Sequence, residues 1–391
     1  MSGPSLRESR RLQAVQSPVI PLIAAWLRAT PGAISLGQGV VAYGPPPAAL
    51  AAARAYGDVP DEHRYGPVTG DPELIAAWHD KLARDNGMVI GDDRCVTVTA
   101  GANMGFLTAL LAVADPGDEI IMPAPYYFNY EMAVTMAGCR TVAVPTGDDW
   151  QLSLDDVAAA ITPHTRAVVT ISPNNPTGAV YPMATLRAVN ELCRARGLWH
   201  ISDEAYEYFV YDGAGHYSPG SGPNAAAHTI ALFSLSKAYG FAAWRIGAMV
   251  APRALAGAIG KIQDTNLICP TRIAQRAAAA ALTVGREYCL PQLATLARVR
   301  AMVHDRLQAV ADICRFARTA GAFYVWLEVR TQQDALALAE QLVREYGVAV
   351  VPGAAFGVTT GCSLRLSYGA PDEATVAEGI DRLVRGLRAL A

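Results

Sequence analysis

Two stretches decide how this chain folds: Ile230-Ala-Leu-Phe-Ser-Leu-Ser-Lys237, and beyond it Trp244-Arg-Ile-Gly-Ala-Met-Val250. Ile230 to Phe233 is apolar at every position, the pattern of a strand covered on both faces rather than one. The next apolar run, Ile246 to Val250, starts about a dozen residues later, too soon for a crossover helix, so it is expected to run antiparallel to the first. Upstream, Cys95 to Val98, Glu119 to Met122, Ala167 to Ser172 and Leu198 to Ser202 repeat a rhythm of apolar run, turn residues and helix-like segment. That rhythm predicts an α/β fold with a mainly parallel sheet.

Beyond residue 285 the pattern changes. A helical stretch passes through Leu296, Val299 and Leu307, then come a strand-like run Ala322 to Val329 and a helix around Ala335 to Tyr346. Strands near Val348 to Val351 and Ser363 to Ser367 precede a last helix opened by Pro371-Asp372-Glu373, with Val376, Ile380, Leu383 and Leu387 on one apolar face. The expected division is 1–44 as an N-terminal arm and part of a small domain, 45–284 as a large domain, and 285–391 as the rest of the small one. Pro18, Pro21 and Pro31 make the first 40 or so residues read as an arm.

Composition narrows the function. The 391 residues are 52% apolar, and 32 Lys and Arg against 35 Asp and Glu leave a net charge of −3. No basic surplus exists to neutralise a phosphate backbone or an anionic membrane, so nucleic acid and membrane partners are not expected. Neither a secretory leader nor a run long enough to span a bilayer is evident, and the seven scattered cysteines suit a reducing, cytoplasmic setting. No metal site is expected.

Ligands of parallel α/β sheets bind beyond the carboxyl ends of the strands. Thr99-Ala-Gly101-Ala102-Asn103 follows the first run and is either a phosphate-binding helix start or a plain tight turn. Pro123 to Tyr130 brings aromatics that could stack on a planar ring or simply pack, and Pro173 to Gly178 offers two adjacent amides between prolines. Asp203 ends a strand, where a buried carboxylate should face a cation, with Tyr206 three residues on. Lys237 is either a surface lysine or, if buried, an amine of lowered pKa suited to Schiff-base chemistry.

Taken together, Ser172-Pro-Asn-Asn-Pro-Thr-Gly178, Asp203-Glu-Ala-Tyr206, Ser234-Leu-Ser-Lys237 with Trp244-Arg-Ile-Gly247, Val351-Pro-Gly-Ala-Ala-Phe-Gly357 and Ser363-Leu-Arg-Leu-Ser367 resemble the class I/II pyridoxal-phosphate aminotransferases of fold type I. The resemblance runs collinearly from about Ile34 to Tyr368. It implies a large domain with a seven-stranded, mostly parallel mixed sheet covered by helices, plus a smaller α/β domain formed by both chain ends.

It also implies roles. Lys237 matches the lysine that joins the cofactor aldehyde and later carries the substrate α-proton, and Asp203 the partner of the pyridine nitrogen. Asn175 and Tyr206 match the groups that bond the ring oxygen. Gly101, Ala102, Asn103, Ser234, Ser236 and Arg245 resemble the phosphate cradle, and Tyr127 the stacking aromatic. Arg365 matches the arginine that grips the substrate α-carboxylate, with Gly39 and Asn175 beside it. Tyr65 is similar to a tyrosine that reaches the phosphate of the other subunit, which implies a homodimer with shared sites.

The implied reaction passes an amino group from an amino acid to a 2-oxo acid by a ping-pong Schiff-base route. A lyase or cyclase reaction on the same residues, possibly on an amino acid with a basic side chain, is the alternative. Two departures bear on the substrate. Gly39-Val-Val-Ala-Tyr43 replaces a Gly-Glu-Pro-Asp-Phe-like run, and Asn103 stands where aspartate-specific relatives carry a lysine. The latter, with no obvious replacement arginine near Asp264 to Leu267, the segment expected to approach the partner's site, speaks against a dicarboxylic donor.

Overall fold

Residues 7–391 are described by the structure, a computed structural model. β1 (Arg94–Thr99), β2 (Glu119–Ala124), β3 (Arg140–Pro145), β4 (Thr165–Ile171), β5 (Trp199–Asp203), β6 (Thr229–Ser234) and β7 (Gly247–Pro252) form one sheet in the order β1-β7-β6-β5-β4-β2-β3. Strands β2 to β6 pair in parallel, whereas β7 runs antiparallel to both β6 and β1. The short interval after Phe233 thus produces the one reversal expected of it.

Continuous apolar strands have a direct explanation here. Ile230 and Leu232 enter one core cluster, while Ala231 and Phe233 enter the other, so successive side chains are buried on opposite faces. The strand β3 was not among the apolar runs, and its composition explains why. It lies at the sheet edge with Arg140 and Ala143 exposed, so it lacks the two-sided burial that makes its neighbours legible.

A second sheet is antiparallel throughout: β8 (Cys314–Arg315), β9 (Tyr324–Val329), β10 (Val351–Pro352) and β11 (Cys362–Ser367), in the order β10-β11-β9-β8. Ile34–Ser35 pairs in parallel with Val348–Ala349, joining the two ends of the chain. Within the first 40 residues, expected as an arm and part of the small domain, the structure forms a helix that the prolines had hidden. Val19–Ala29 is a helix with Val19, Ile23 and Trp26 buried, packed on the helix Ala335–Tyr346. Its prolines do not break it because Pro18 is the N-cap residue and Pro21 sits in the first turn, where backbone N–H groups have no intrahelical acceptor.

Strand register then aligns the chemistry. Thr99 and Ser234 both face Gly247, and Asp203 lies between Ile171 and Leu232. The segments after β1, β4, β5 and β6 therefore leave the sheet along one edge.

Candidate active site

A cavity of about 550 Å³ opens at that edge, within the range of roughly 300–1,000 Å³ usual for small-molecule sites. Gly39, Ala102, Asn103, Tyr127, Asn175, Asp203, Tyr206, Ser234, Ser236, Lys237, Arg245 and Arg365 all line it. Sequence positions more than 300 residues apart thus meet in one space.

Asp203 ends β5 at the floor and is 4% exposed. Its Oδ2 accepts a hydrogen bond from the Tyr130 hydroxyl at 2.7 Å, and its Oδ1 accepts one from the Ala205 N–H at 3.0 Å. No cationic side chain among the described residues forms an ion pair with it. Burial, only partly offset by those two donors, pushes its carboxyl up to about 6.

Lys237 follows β6 and the Ser234-Leu-Ser turn. Its Nζ donates to the Gly39 carbonyl, while the Tyr43 hydroxyl donates to the Lys237 carbonyl at 3.1 Å. Burial and the nearby Arg365 and Arg245 guanidiniums bring the amine down to about 8, so it is no ordinary surface lysine.

Arg245 adopts φ 54°, uncommon for a residue with a side chain, after the single turn Ala242–Trp244. Its Nη1 donates to the Ala242 carbonyl at 2.8 Å and to Ser236 Oγ at 3.3 Å, and its Nη2 to the Ala100 carbonyl at 3.4 Å. Ser234 Oγ accepts from the Ser236 N–H at 3.1 Å. Gly101 does not line the cavity but makes it possible. At φ +77°, a Cβ there would lie 2.2 Å from Arg245 Nη2, so only glycine lets the guanidinium close over the start of the helix Gly101–Val113.

Arg365 projects from β11 and is 2% exposed. Nη1 donates to Asn175 Oδ1 at 2.9 Å and Nη2 to the Gly37 carbonyl at 2.6 Å, while Nε is buried with no acceptor. The guanidinium lies 4.7 Å from the centre of the Tyr324 ring and 5.0 Å from that of Phe356. Asn175 Nδ2 is 3.5 Å from the Tyr206 hydroxyl, a marginal contact. That hydroxyl also pairs with the Tyr324 hydroxyl at 2.7 Å. Tyr127 OH accepts from Asn129 Nδ2 at 2.8 Å.

Tyr65, like Gly101, is a predicted residue that does not line the cavity. It is 80% exposed.

Sequence reading passed over Tyr130, Tyr324, Tyr43 and the rim formed by Pro18, Ile20 and Pro21. Tyr130 lay within the quoted aromatic run, where its stack on Phe106, 3.8 Å between centres, was invisible. Tyr324 carried a weaker signal still, one aromatic in an apolar strand. Yet a Cβ on Gly39 would stand 2.3 Å from its hydroxyl, so Tyr324 is what requires glycine there.

The family described as Aminotransferase class I and II matches residues 31–383. An aromatic aminotransferase of Arabidopsis thaliana is 32% identical over 98% of this chain and 96% of its own. An aspartate/prephenate aminotransferase of Thermus thermophilus is 36% identical over 83% of each chain. Among solved structures, a single mutant of Thermus thermophilus aspartate aminotransferase superposes with a TM-score of 0.89 at 32% identity, covering 98% of this chain and 100% of that one. An aromatic aminotransferase from Pyrococcus horikoshii OT3 gives 0.86 at 33% identity, over 94% and 99%.

Proposed function

The chain belongs to the class I and II aminotransferases and is an aminotransferase, and from that premise we propose that it works on pyridoxal phosphate held around Lys237, in a homodimer whose subunits complete each other's sites. The observation that carries this reading is the convergence, in one cavity, of a half-buried lysine amine, a buried carboxylate and two guanidiniums. An unpaired carboxyl raised to about 6 is suited to a pyridine N–H, which would return it to the charged form. The cradle of Gly101, Ala102, Asn103, Ser234, Ser236 and Arg245 suits a phosphate, with Arg245 providing a charge-assisted fork. Tyr127 would cover the ring, and Asn175 and Tyr206 would hold its oxygen.

Pyridoxal phosphate, when bound, supplies an electron sink that stabilises negative charge at the α-carbon of the amino acid. Arg365 fixes the substrate α-carboxylate, for which its buried Nε is the free donor. Lys237 Nζ, with a pKa near 8, is partly neutral at physiological pH and takes the α-proton before returning it. Gly39, whose carbonyl already holds that amine, keeps bulk away from the reacting atoms. Domain division at residues 44 and 284 and a cytoplasmic setting belong to the same proposal, the latter supported by seven unpaired cysteines. No helix among the described residues is long and apolar enough to cross a membrane.

Replacing Lys237 with Ala is expected to abolish both amino transfer and the cofactor-lysine absorbance. Sustained turnover of an amino acid with no oxo acid present would instead indicate elimination and defeat the transfer reading.

A further inference from the structure

We propose that the substrate side chain is large and uncharged, and that the site discriminates against aspartate and glutamate; this rests on the transamination reading above. A census of charge in the cavity carries the argument. Among the described residues that line it, the cations are Lys237, Arg245 and Arg365, and the only carboxylate is Asp203. Each cation already has a place. Lys237 is the reacting amine, Arg245 closes over the helix start at Gly101, and Arg365 takes the α-carboxylate. A second carboxylate on the substrate would find no cation left on this chain, and Asp203, bound by Tyr130 and Ala205 on the floor, is not placed for a distal ammonium.

What surrounds the rest of the space is apolar or neutral. Behind the cavity wall Phe356 packs against both Arg365 and Phe128, the two phenyl rings meeting edge-on at 5.2 Å, and of the pair it is Phe128 that lines the cavity. Across the mouth stand Ile20 and Pro21, brought there by the start of the helix Val19–Ala29, with Val40 beside Gly39. The polar groups at the rim, Gln38, Asn103 and Asn129, are amides, and Asn129 is already bonded to Tyr127. An ionised group pushed into such a space loses water without gaining a partner, whereas an aryl or long alkyl group gains by burying its surface.

The test uses the holoenzyme and two readouts. First, the cofactor absorbance is followed while single amino acids are added without oxo acid. Phenylalanine, leucine or methionine should convert the band with a second-order rate constant at least thirtyfold above those of aspartate, glutamate and lysine. Second, calorimetry compares two unreactive acids that share the carboxylate for Arg365, 3-phenylpropionate and succinate. The former should bind at least thirtyfold tighter. Ile20→Lys, at the half-buried rim, should narrow both ratios at least tenfold by supplying the missing cation. A preference below thirtyfold, or one for a charged side chain, overturns the proposal. Conversion by no amino acid of any class would defeat the transamination reading instead.

Discussion

The carboxyl group of Asp203 shows how one residue's environment sets its behaviour. Its pKa in the fold, about 6, lies above the ordinary carboxylate value of 3.8, because burial outweighs its two hydrogen bonds. The folded protein therefore holds a proton that the unfolded chain has released between about pH 4 and 6, and stability falls as pH rises through that window. In cofactor-free protein at pH 7.5 the full cost is present, on the order of 2–3 kcal/mol at most. Asp203→Asn should thus raise the melting temperature of the cofactor-free protein by a few degrees at pH 7.5 and by much less at pH 5, while amino transfer falls on the order of a hundredfold. Melting curves of both proteins at the two pH values decide it. An equal shift at both would mean that the carboxylate is not the source.

Elements rather than residues bring the rim of the cavity into place. The helix Val19–Ala29 carries Ile20 and Pro21 to the mouth and is itself braced by the helix Ala335–Tyr346. The latter starts at Asp334, whose Oδ1 accepts from the Leu336 and Ala337 N–H groups at 2.9 and 3.0 Å. Removing this cap by Asp334→Ala should cost about 1 kcal/mol. Thermal unfolding should register it as a lower melting temperature, with kcat unchanged because Asp334 touches nothing in the cavity. A helix around Ala335 to Tyr346 was readable from the sequence, and the structure adds the Asp334 cap at its start and Gly347 at its end. By contrast Val19–Ala29 was not, because prolines that usually stop a helix fall here at its start, and Arg140–Pro145 was missed because an edge strand needs no continuous apolar run.

At the scale of the whole molecule, Tyr65 poses the question of assembly. A tyrosine 80% exposed and absent from its own cavity has a use if it serves another subunit. Light scattering should accordingly find a particle of twice the chain mass, and Tyr65→Phe should weaken cofactor binding by about tenfold, as expected for one hydrogen bond to a charged group. A monomer that retains full cofactor affinity would rule out the shared site. What the sequence determined by itself was local in origin. Two-sided apolar runs, turn residues and the short interval before Ile246 specify the strands and the one reversal, and the motifs specify Lys237, Asp203, Asn175 and Arg365. Tertiary structure alone decided which groups share a space: Arg365 with Gly37, 328 positions away, Tyr206 with Tyr324, and Asp203 with Tyr130. The charge balance of the cavity, and the substrate class inferred from it, depend on such meetings. No periodicity encodes them, because they arise only when burial packs distant segments against one another.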